Sequence, residues 1–200
     1  MCGRFYIIPD AELNQFFAPL ALTPFQDLPL KLSGEIFPTD IVPVFIWADG
    51  KRTAKPMIWG FPKWDHKGVI FNARQESALE KKMFRQPLLE RRCAVLTTGF
   101  FEWTPVPGQK RKDRYIFTLL GEKWLFLAGI WSVFSDPLSG QIPERFTILT
   151  TEANEGVSHF HDRMPVILAE SEVDDWLTGD DFTKYMNRAQ PTLEAKKSNG

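Results

Sequence analysis

The sequence predicts an α+β protein: one compact domain with a curved, mainly antiparallel β-sheet or barrel at its core and a few short helices. Three observations support this fold class. At 200 residues the chain suits a single hydrophobic core, and its 44% apolar residues can fill that core. Strand-like segments are many and short, whereas helix-like segments are few. We therefore predict one domain over residues 1–187.

The first part of the chain has patterns for a strand, a helix and a loop. These predicted elements are 5–8, 11–17 and 18–40. Pro9 ends the strand, and the side-chain oxygen of Asp10 caps the helix. The loop is rich in Pro and has no apolar period, so we expect an ordered but irregular segment that crosses the surface.

The rest of the domain is predicted to contain six further strands and three short helices. The predicted strands are 41–47, 53–59, 93–98, 115–120, 124–130 and 146–151. The predicted helices are 75–79, 170–177 and 181–187. Asp49-Gly50, between the first two of these strands, is a strong hairpin signal. Residues 188–200 are polar and have no apolar period, which predicts a frayed tail.

Composition excludes several classes of protein. Two cysteines can supply neither a disulfide scaffold nor a four-thiolate zinc site. The longest unbroken apolar run, 124–131, is far shorter than the ~20 residues of a membrane-spanning helix. No charged and then apolar leader opens the sequence. We therefore expect a protein of a reducing compartment, the cytoplasm, with no membrane partner.

Positive charge is concentrated in the middle of the chain. Residues 51–92 hold 11 basic and 4 acidic side chains, although the whole chain has a net charge of −1. This asymmetry predicts one positive face, which could bind nucleic acid or another polyanion or simply keep the protein soluble. Trp59, Phe61 and Trp64 lie near cations, as in surfaces that stack single-stranded bases. We expect Trp59 to be buried and Trp64, which has charged neighbours, to be exposed.

Cys2 becomes the first residue if the initiator methionine is removed, as is usual before a small residue. It then carries an α-amine, with a pKa of about 7.7–8.0 against about 10.4 for lysine, so a useful fraction is neutral near pH 7.4. With an aldehyde, the nitrogen can form an imine and the sulfur can then close a five-membered thiazolidine ring. The alternative is a chance cysteine at a frayed terminus. However, Gly3, Arg4 and Phe5 lead directly into a predicted strand, which would hold the nucleophile in place.

Two further segments offer polar groups on strands. Asn72 ends a strand and Arg74 follows two residues later, so an amide and a phosphate-binding guanidinium can reach the same side. Glu102 lies between Phe101 and Trp103, and it faces away from the core if these rings face inward. A partly desolvated glutamate has a raised pKa and can act as acid and base. The alternatives are a helix-capping role for Asn72 and an ordinary solvent-facing position for Glu102.

Two of the three histidines, His159 and His161, lie two residues apart. Such a pair could ligate a metal, but no third ligand cluster accompanies it, so we predict no metal and no cofactor. We favour one imidazole as a proton shuttle, with Asp162 or Arg163 positioning the loop.

Together these segments resemble the SRAP family, the SOS-response-associated peptidases that sense abasic sites. The resemblance extends from Cys2 to about Leu177 and depends on the order and spacing of its motifs. These are Met1-Cys2-Gly3-Arg4-Phe5, Trp59-Gly60 with Pro62 and Trp64, Asn72-Ala73-Arg74, Gly99, Phe101-Glu102-Trp103, Thr150, and His161-Asp162-Arg163-Met164-Pro165. The chain departs from the family at residues 34–39, where an Asn-x-Ala-Pro pattern is usual, and after Leu177.

The resemblance implies a function and a set of site residues. Family members have a compact, β-rich fold with a positive cleft for single-stranded DNA, and they attach the N-terminal cysteine to the aldehyde of an abasic site as a stable thiazolidine. The implied catalytic residues are Cys2 as nucleophile, Asn72 for positioning the amine, Glu102 for proton transfer, and His161 for sugar-ring opening and imine formation. The implied DNA-binding residues are Arg4, Arg74 and Arg163 at phosphates, with Trp64 and Pro38 along the strand.

Other functions remain open at the level of sequence. The same site could be an N-terminal-nucleophile cysteine peptidase that acts mainly on its own leader, with Glu102 or His161 as base. An abasic-site lyase activity could accompany the crosslink. A third hypothesis is a non-catalytic single-strand binder that needs Trp64 and the positive face but not Cys2. For the favoured function we expect a nucleoid-associated monomer whose partner is single-stranded DNA containing abasic sites.

Overall fold

A computed structural model describes residues 2–17, 29–65, 67–135, 140 and 142–198, with the backbone alone for residues 14–16. The strands are β1 (Phe5–Ile7), β2 (Gly34–Ile36), β3 (Ile41–Ala48), β4 (Lys51–Trp59), β5 (Phe61–Pro62), β6 (Val69–Ile70), β7 (Asn72–Arg74), β8 (Arg92–Thr97), β9 (Gly99–Pro105), β10 (Lys112–Leu119), β11 (Leu125–Val133), β12 (Glu144–Glu152), β13 (Arg163–Pro165), β14 (Ile167–Leu168) and β15 (Leu193–Lys197). The helices are α1 (Ala11–Phe17), α2 (Gln75–Ala78), α3 (Lys82–Glu90), α4 (Glu155–Ser158), α5 (Val173–Thr178) and α6 (Thr183–Met186).

Two sheets make up the fold. The larger has the order β13-β12-β4-β3-β8-β11-β14, and β12 also pairs with β11. Strands β3, β4, β8, β11 and β12 therefore close into a small barrel, which removes their free edges. The second sheet has the order β15-β10-β9-β1-β2 and is antiparallel throughout. The predicted α+β class, with its curved and mainly antiparallel sheet, is confirmed.

An aromatic cluster fixes the amino-terminal strand to the barrel. The fully buried ring of Trp59 lies 4.9 Å from that of Phe5 and stacks on that of Phe146 at 6.3 Å between centroids. The indole N–H of Trp59 donates to the carbonyl of Phe71 at 2.9 Å. Because these side chains are large and well packed, they hold the first residues of the chain in a defined position. Trp59 is buried, as predicted.

Local sequence signals explain several elements. Asp10 Oδ1 accepts a hydrogen bond from the N–H of Leu13 at 2.8 Å, which confirms the predicted cap of α1. Asp49 and Gly50 have φ angles of 52° and 74°, as a two-residue hairpin turn requires between β3 and β4. In the predicted loop at 18–40, residues 18–28 lie outside the described part, and residues 34–36 form β2. Helix α3 is not predicted, and Pro87, a residue that usually interrupts helices, lies inside it.

The carboxyl-terminal segment corrects the expectation of a frayed tail. Strand β15 pairs with β10 along its whole length, from Leu193 opposite Leu119 to Lys197 opposite Tyr115. Gln190 is buried and accepts a hydrogen bond from the backbone of Ile167 at 2.8 Å. Hydrogen bonds thus hold a segment that has no apolar period. In the described part of the chain, no helix combines the length and apolarity needed to span a membrane.

Candidate active site

Backbone pairing places Cys2 beside Glu102. In the β1–β9 pair Phe5 lies opposite Phe100, and the N–H of Phe101 donates to the carbonyl of Arg4 at 2.9 Å. Continuing this antiparallel register towards the amino terminus brings Gly3 opposite Glu102 and Cys2 opposite Trp103. Cys2 is close enough to Glu102 for the charge of that carboxylate to act on its thiol. Both side chains are buried, Cys2 completely. The terminal cysteine is therefore held inside the fold rather than on a loose end.

Asn72 binds the Cys2 backbone directly. Strand β7 runs parallel to β12, with Asn72 opposite Ile148, and this register directs the amide towards the amino terminus. Asn72 Nδ2 donates to the carbonyl oxygen of Cys2 at 2.9 Å. Its Oδ1 is buried and has no hydrogen-bond partner among the described residues. An acceptor thus remains available close to Cys2.

His161 joins this group from the other side of β12. It precedes β13, whose Arg163 lies opposite Glu152 of β12. Its Nδ1 lies 2.9 Å from the backbone N–H of Arg163 and 2.7 Å from a carboxylate oxygen of Asp162. Burial lowers the pKa of His161, and the positive amino terminus lowers it further, so the neutral ring is favoured. In that form Nδ1 accepts from the amide, Nε2 carries the proton, and the exposed Asp162 carboxylate remains hydrated.

The titratable groups share one electrostatic environment. Burial raises the pKa of the Cys2 thiol, and the negative charge of Glu102 raises it further. Burial also raises the pKa of Glu102, against the opposing effect of the positive amino terminus. The charge of Asp162 acts on both Glu102 and His161. The structure therefore places Asn72 and Glu102 beside Cys2, and it relates His161 to Glu102 through the charges of the amino terminus and Asp162.

Arg4 packs between two aromatic rings, and Pro38 follows one of these aromatic residues in the sequence. The guanidinium of Arg4 lies between the rings of Phe37 and Trp103, at 4.3 and 4.8 Å from their centroids. It also pairs with Glu35 at 2.9 Å. Pro38 is half-buried in the turn after β2, next to Phe37. These aromatic contacts fix the direction in which Arg4 presents its charge.

Arg74 and Trp64 are accessible, as DNA-binding residues must be. Arg74 is exposed and lines a cavity of about 290 Å³ together with Asn72 and Lys81. The apolar side of this cavity includes Phe84. Trp64 is 91% exposed, as predicted from its charged neighbours. The ring is therefore accessible to a ligand.

Arg163 is not placed for a phosphate contact, and the structure corrects that assignment. Its side chain is 8% exposed and donates to both carboxylate oxygens of Glu76, at 2.9 and 2.8 Å. A third hydrogen bond reaches the backbone carbonyl of Thr150 at 2.7 Å. Because its charge is matched and both terminal nitrogens donate hydrogen bonds, Arg163 instead links α2 to β12 and β13.

A cluster of cations near Arg4 is missed by the sequence argument. That argument places the positive face within 51–92, whereas a cavity of about 440 Å³ beside Arg4 draws on Arg111, Lys112, Arg114 and Lys197. The available signal is the short basic run 110–112. No local pattern predicts that Lys197 of the tail lines this cavity, because it is placed there by the pairing of β15 with β10.

A family model described as SOS response associated peptidase (SRAP) matches residues 1–198, and the chain belongs to this family. The abasic site processing protein YoaM of Bacillus subtilis is 32% identical over 198 residues, covering 88% of this chain and 79% of the relative. The abasic site processing protein HMCES of Pongo abelii is 32% identical over 168 residues, covering 67% of this chain and 47% of that protein.

Solved structures show the same fold. A crystal structure of a Bacteroides thetaiotaomicron protein matches with a TM-score of 0.79 at 23% identity, covering 99% of this chain and 92% of that one. A Bordetella bronchiseptica protein matches with a TM-score of 0.78 at 21% identity, covering 99% and 100% of the two chains.

Proposed function

We propose that this protein recognises abasic sites in single-stranded DNA and forms a covalent thiazolidine crosslink through Cys2 after removal of Met1. The relatives that are named abasic site processing proteins support the choice of substrate. The hydrogen bond from Asn72 to the carbonyl of Cys2 carries the proposal for the site, because it holds a terminal residue that would otherwise move freely.

The chemistry needs both heteroatoms of Cys2. The abasic sugar opens to an aldehyde, and the neutral α-amine adds to the aldehyde carbon to give a carbinolamine. Loss of one water gives an imine, and the sulfur then adds to the imine carbon while its proton passes to nitrogen. A new C–N and a new C–S bond form, one water leaves, and no oxidant or reductant is needed.

Each neighbouring side chain has a step that suits its environment. The neutral His161, with its proton on Nε2, can donate a hydrogen bond to the ring oxygen of the sugar and so stabilise the negative charge that develops there as the ring opens. Glu102, whose pKa burial raises, can act as a general acid that assists the departure of water. The free Oδ1 of Asn72 can accept a hydrogen bond from the new α-amine.

The thiol environment favours this order of steps over direct attack by sulfur. A cysteine peptidase attacks through a thiolate, and such sites lower the thiol pKa. Here burial and Glu102 raise the pKa of the Cys2 thiol, so the sulfur is protonated at neutral pH. In the proposed reaction the amine acts first, and the thiol is required only after the imine has been formed beside it.

DNA would approach over Arg74 and Trp64. Arg74 offers an exposed cation beside the cavity that Asn72 also lines. The exposed Trp64 ring offers a stacking surface for an unpaired base. Because the phosphate contacts release counterions, noncovalent binding should weaken steeply as salt is raised.

The test is an intact-mass measurement of the Met1-processed protein incubated with a single-stranded oligonucleotide that contains one abasic site. We expect a species equal to protein plus DNA minus one water, stable on a denaturing gel. Cys2→Ala should abolish it, and Cys93→Ala is the matched control, because Cys93 is the other buried thiol. Protein that retains Met1 should also fail, since its α-amine belongs to another residue. A full yield of stable adduct from Cys2→Ala would refute the assignment.

A further inference from the structure

The cavity of about 440 Å³ beside Arg4 concentrates positive charge on β10 and β15. We call it the basic pocket, and its cations are Arg4, Arg111, Lys112, Arg114 and Lys197. Two carboxylates offset them: Glu35 pairs with Arg4 and Arg114 at 2.9 and 2.7 Å, and Asp113 pairs with Lys197 at 2.6 Å. Five cations thus face two carboxylates, which leaves the pocket strongly positive.

The excess charge belongs to two neighbouring side chains. Arg111 and Lys112 are both exposed, and neither forms an ion pair with a residue in the described ranges. The contact that Arg111 makes is neutral, with its Nε donating to the side-chain oxygen of Gln109 at 2.5 Å. Their charges are therefore available to a ligand, unlike those of Arg4, Arg114 and Lys197.

The basic pocket is continuous with the candidate active site. Arg4 is two residues from Cys2, so their Cα atoms lie within about 7 Å of each other. Trp103, which lines the pocket, follows Glu102 in β9. After burial and the charge of the amino terminus, the charge of Lys112 also contributes to the electrostatic environment of His161. A ligand group in the pocket would thus lie close to the reacting sugar.

We propose that the basic pocket binds the backbone phosphate of a nucleotide adjacent to the abasic site, with Arg111 and Lys112 as its phosphate-binding residues. This inference rests on the proposed function. It adds a second phosphate contact at the start of β10, whereas Arg74 lies on β7. A guanidinium fork and an ammonium suit a phosphodiester, and Arg4 with Trp103 forms a rigid wall beside them. The two phosphate contacts would hold the DNA strand on both sides of Cys2.

The experiment measures noncovalent binding, so that it does not depend on the crosslink. The probe is a single-stranded oligonucleotide with a tetrahydrofuran abasic analogue, which has no aldehyde, and its anisotropy is followed as salt is varied. Loss of the contacts to this one phosphate should reduce the slope of log K against log salt by about 0.7, which corresponds to roughly fivefold weaker binding at 0.1 M salt. The test variant is the double substitution Arg111→Ala and Lys112→Ala.

The matched control removes two exposed cations elsewhere. Lys51→Ala with Lys123→Ala makes the same change in net charge, and both positions are remote from the pocket. Lys51 begins β4 and lies about 26 Å along that strand from Trp59, while Lys123 follows β10 at the end opposite Lys112. We expect the control to change the slope by far less than the test variant.

A second measurement identifies the phosphate itself. Replacing single linkages near the analogue by neutral methylphosphonates should reveal one linkage whose neutralisation weakens wild-type binding but has no further effect in the test variant. Equal slopes in the test and control variants, or additive effects at every linkage, would overturn the inference. Failure of the wild-type protein to form any covalent adduct would instead overturn the proposed function and leave these binding results unaffected.

Discussion

Replacing Arg163 by Ala separates a structural role from a role in DNA binding. The wild-type guanidinium donates to the backbone carbonyl of Thr150 and to both oxygens of Glu76. Loss of the hydrogen bond to the buried carbonyl costs about 1–3 kcal/mol. Because the Glu76 side chain is 46% exposed, its carboxylate can be hydrated again, and the ionic part adds only about 1 kcal/mol or less.

The expected loss is therefore about 1–4 kcal/mol in the free energy of unfolding. For a chain of 200 residues this corresponds to a fall in Tm of roughly 2–16 °C. Urea unfolding followed by tryptophan fluorescence measures the free energy, and calorimetry measures Tm. Glu76→Gln is the control, because it keeps a hydrogen-bond acceptor for Arg163 and should cost about 1 kcal/mol or less.

The same pair predicts a pH dependence. Burial alone would raise the pKa of Glu76, but the hydrogen bonds from Arg163 and from the backbone, together with the charges of Arg163 and Arg74, outweigh burial and lower it. A lowered folded-state pKa stabilises the fold above the ordinary value of 4.5, and this contribution is lost as pH falls through the folded-state pKa. The stability difference between wild type and Arg163→Ala should therefore narrow in acid. If Arg163→Ala is as stable as wild type, and if it also has a smaller slope of log K against log salt for DNA binding, the structural role of Arg163 is refuted.

Two further predictions concern Glu102 and the tail. Because the folded-state pKa of Glu102 is raised, the wild-type protein loses stability as pH rises above the ordinary value of 4.5. Glu102→Gln should therefore be more stable than wild type at pH 7–8 and lose this advantage as pH falls to 4.5. Urea midpoints measured across pH test this, and a difference between variant and wild type that does not change with pH would contradict it. Deleting residues from Leu193 onward should lower the free energy of unfolding by about 2–3 kcal/mol, because Leu193 is buried and β10 loses its partner strand β15. An unchanged urea midpoint would instead support the expectation of a frayed tail.

The polar tail shows where sequence patterns fail. Apolar periodicity identifies elements that bury a face, and residues 188–198 have none. They are nevertheless held by backbone pairing with β10, by the buried amide of Gln190 and by an ion pair between Arg188 and Glu172. Such contacts depend on partners far away in the chain. They therefore have no signature in the local composition.

Arg163 and Arg111 show the same limit at the site. Both are arginines close to polar residues, and composition alone gives them the same capacity to bind phosphate. Tertiary packing buries Arg163 against a carboxylate and a carbonyl, and it leaves Arg111 exposed without an ion pair among the described residues. The sequence supplies the charge, and the surroundings decide whether that charge is available.

Composition and local patterns predicted the fold class, the hairpin at Asp49-Gly50 and the exposure of Trp64, because these features depend on side-chain chemistry and on short-range order. The four candidate catalytic residues came from the resemblance of the motifs to a known family. The tertiary structure alone decided that Cys2 is buried against Glu102 with its carbonyl held by Asn72, and that cations from β10 and β15 meet beside Arg4. Distances between strands far apart in sequence follow from sheet pairing and core packing, which no local pattern records.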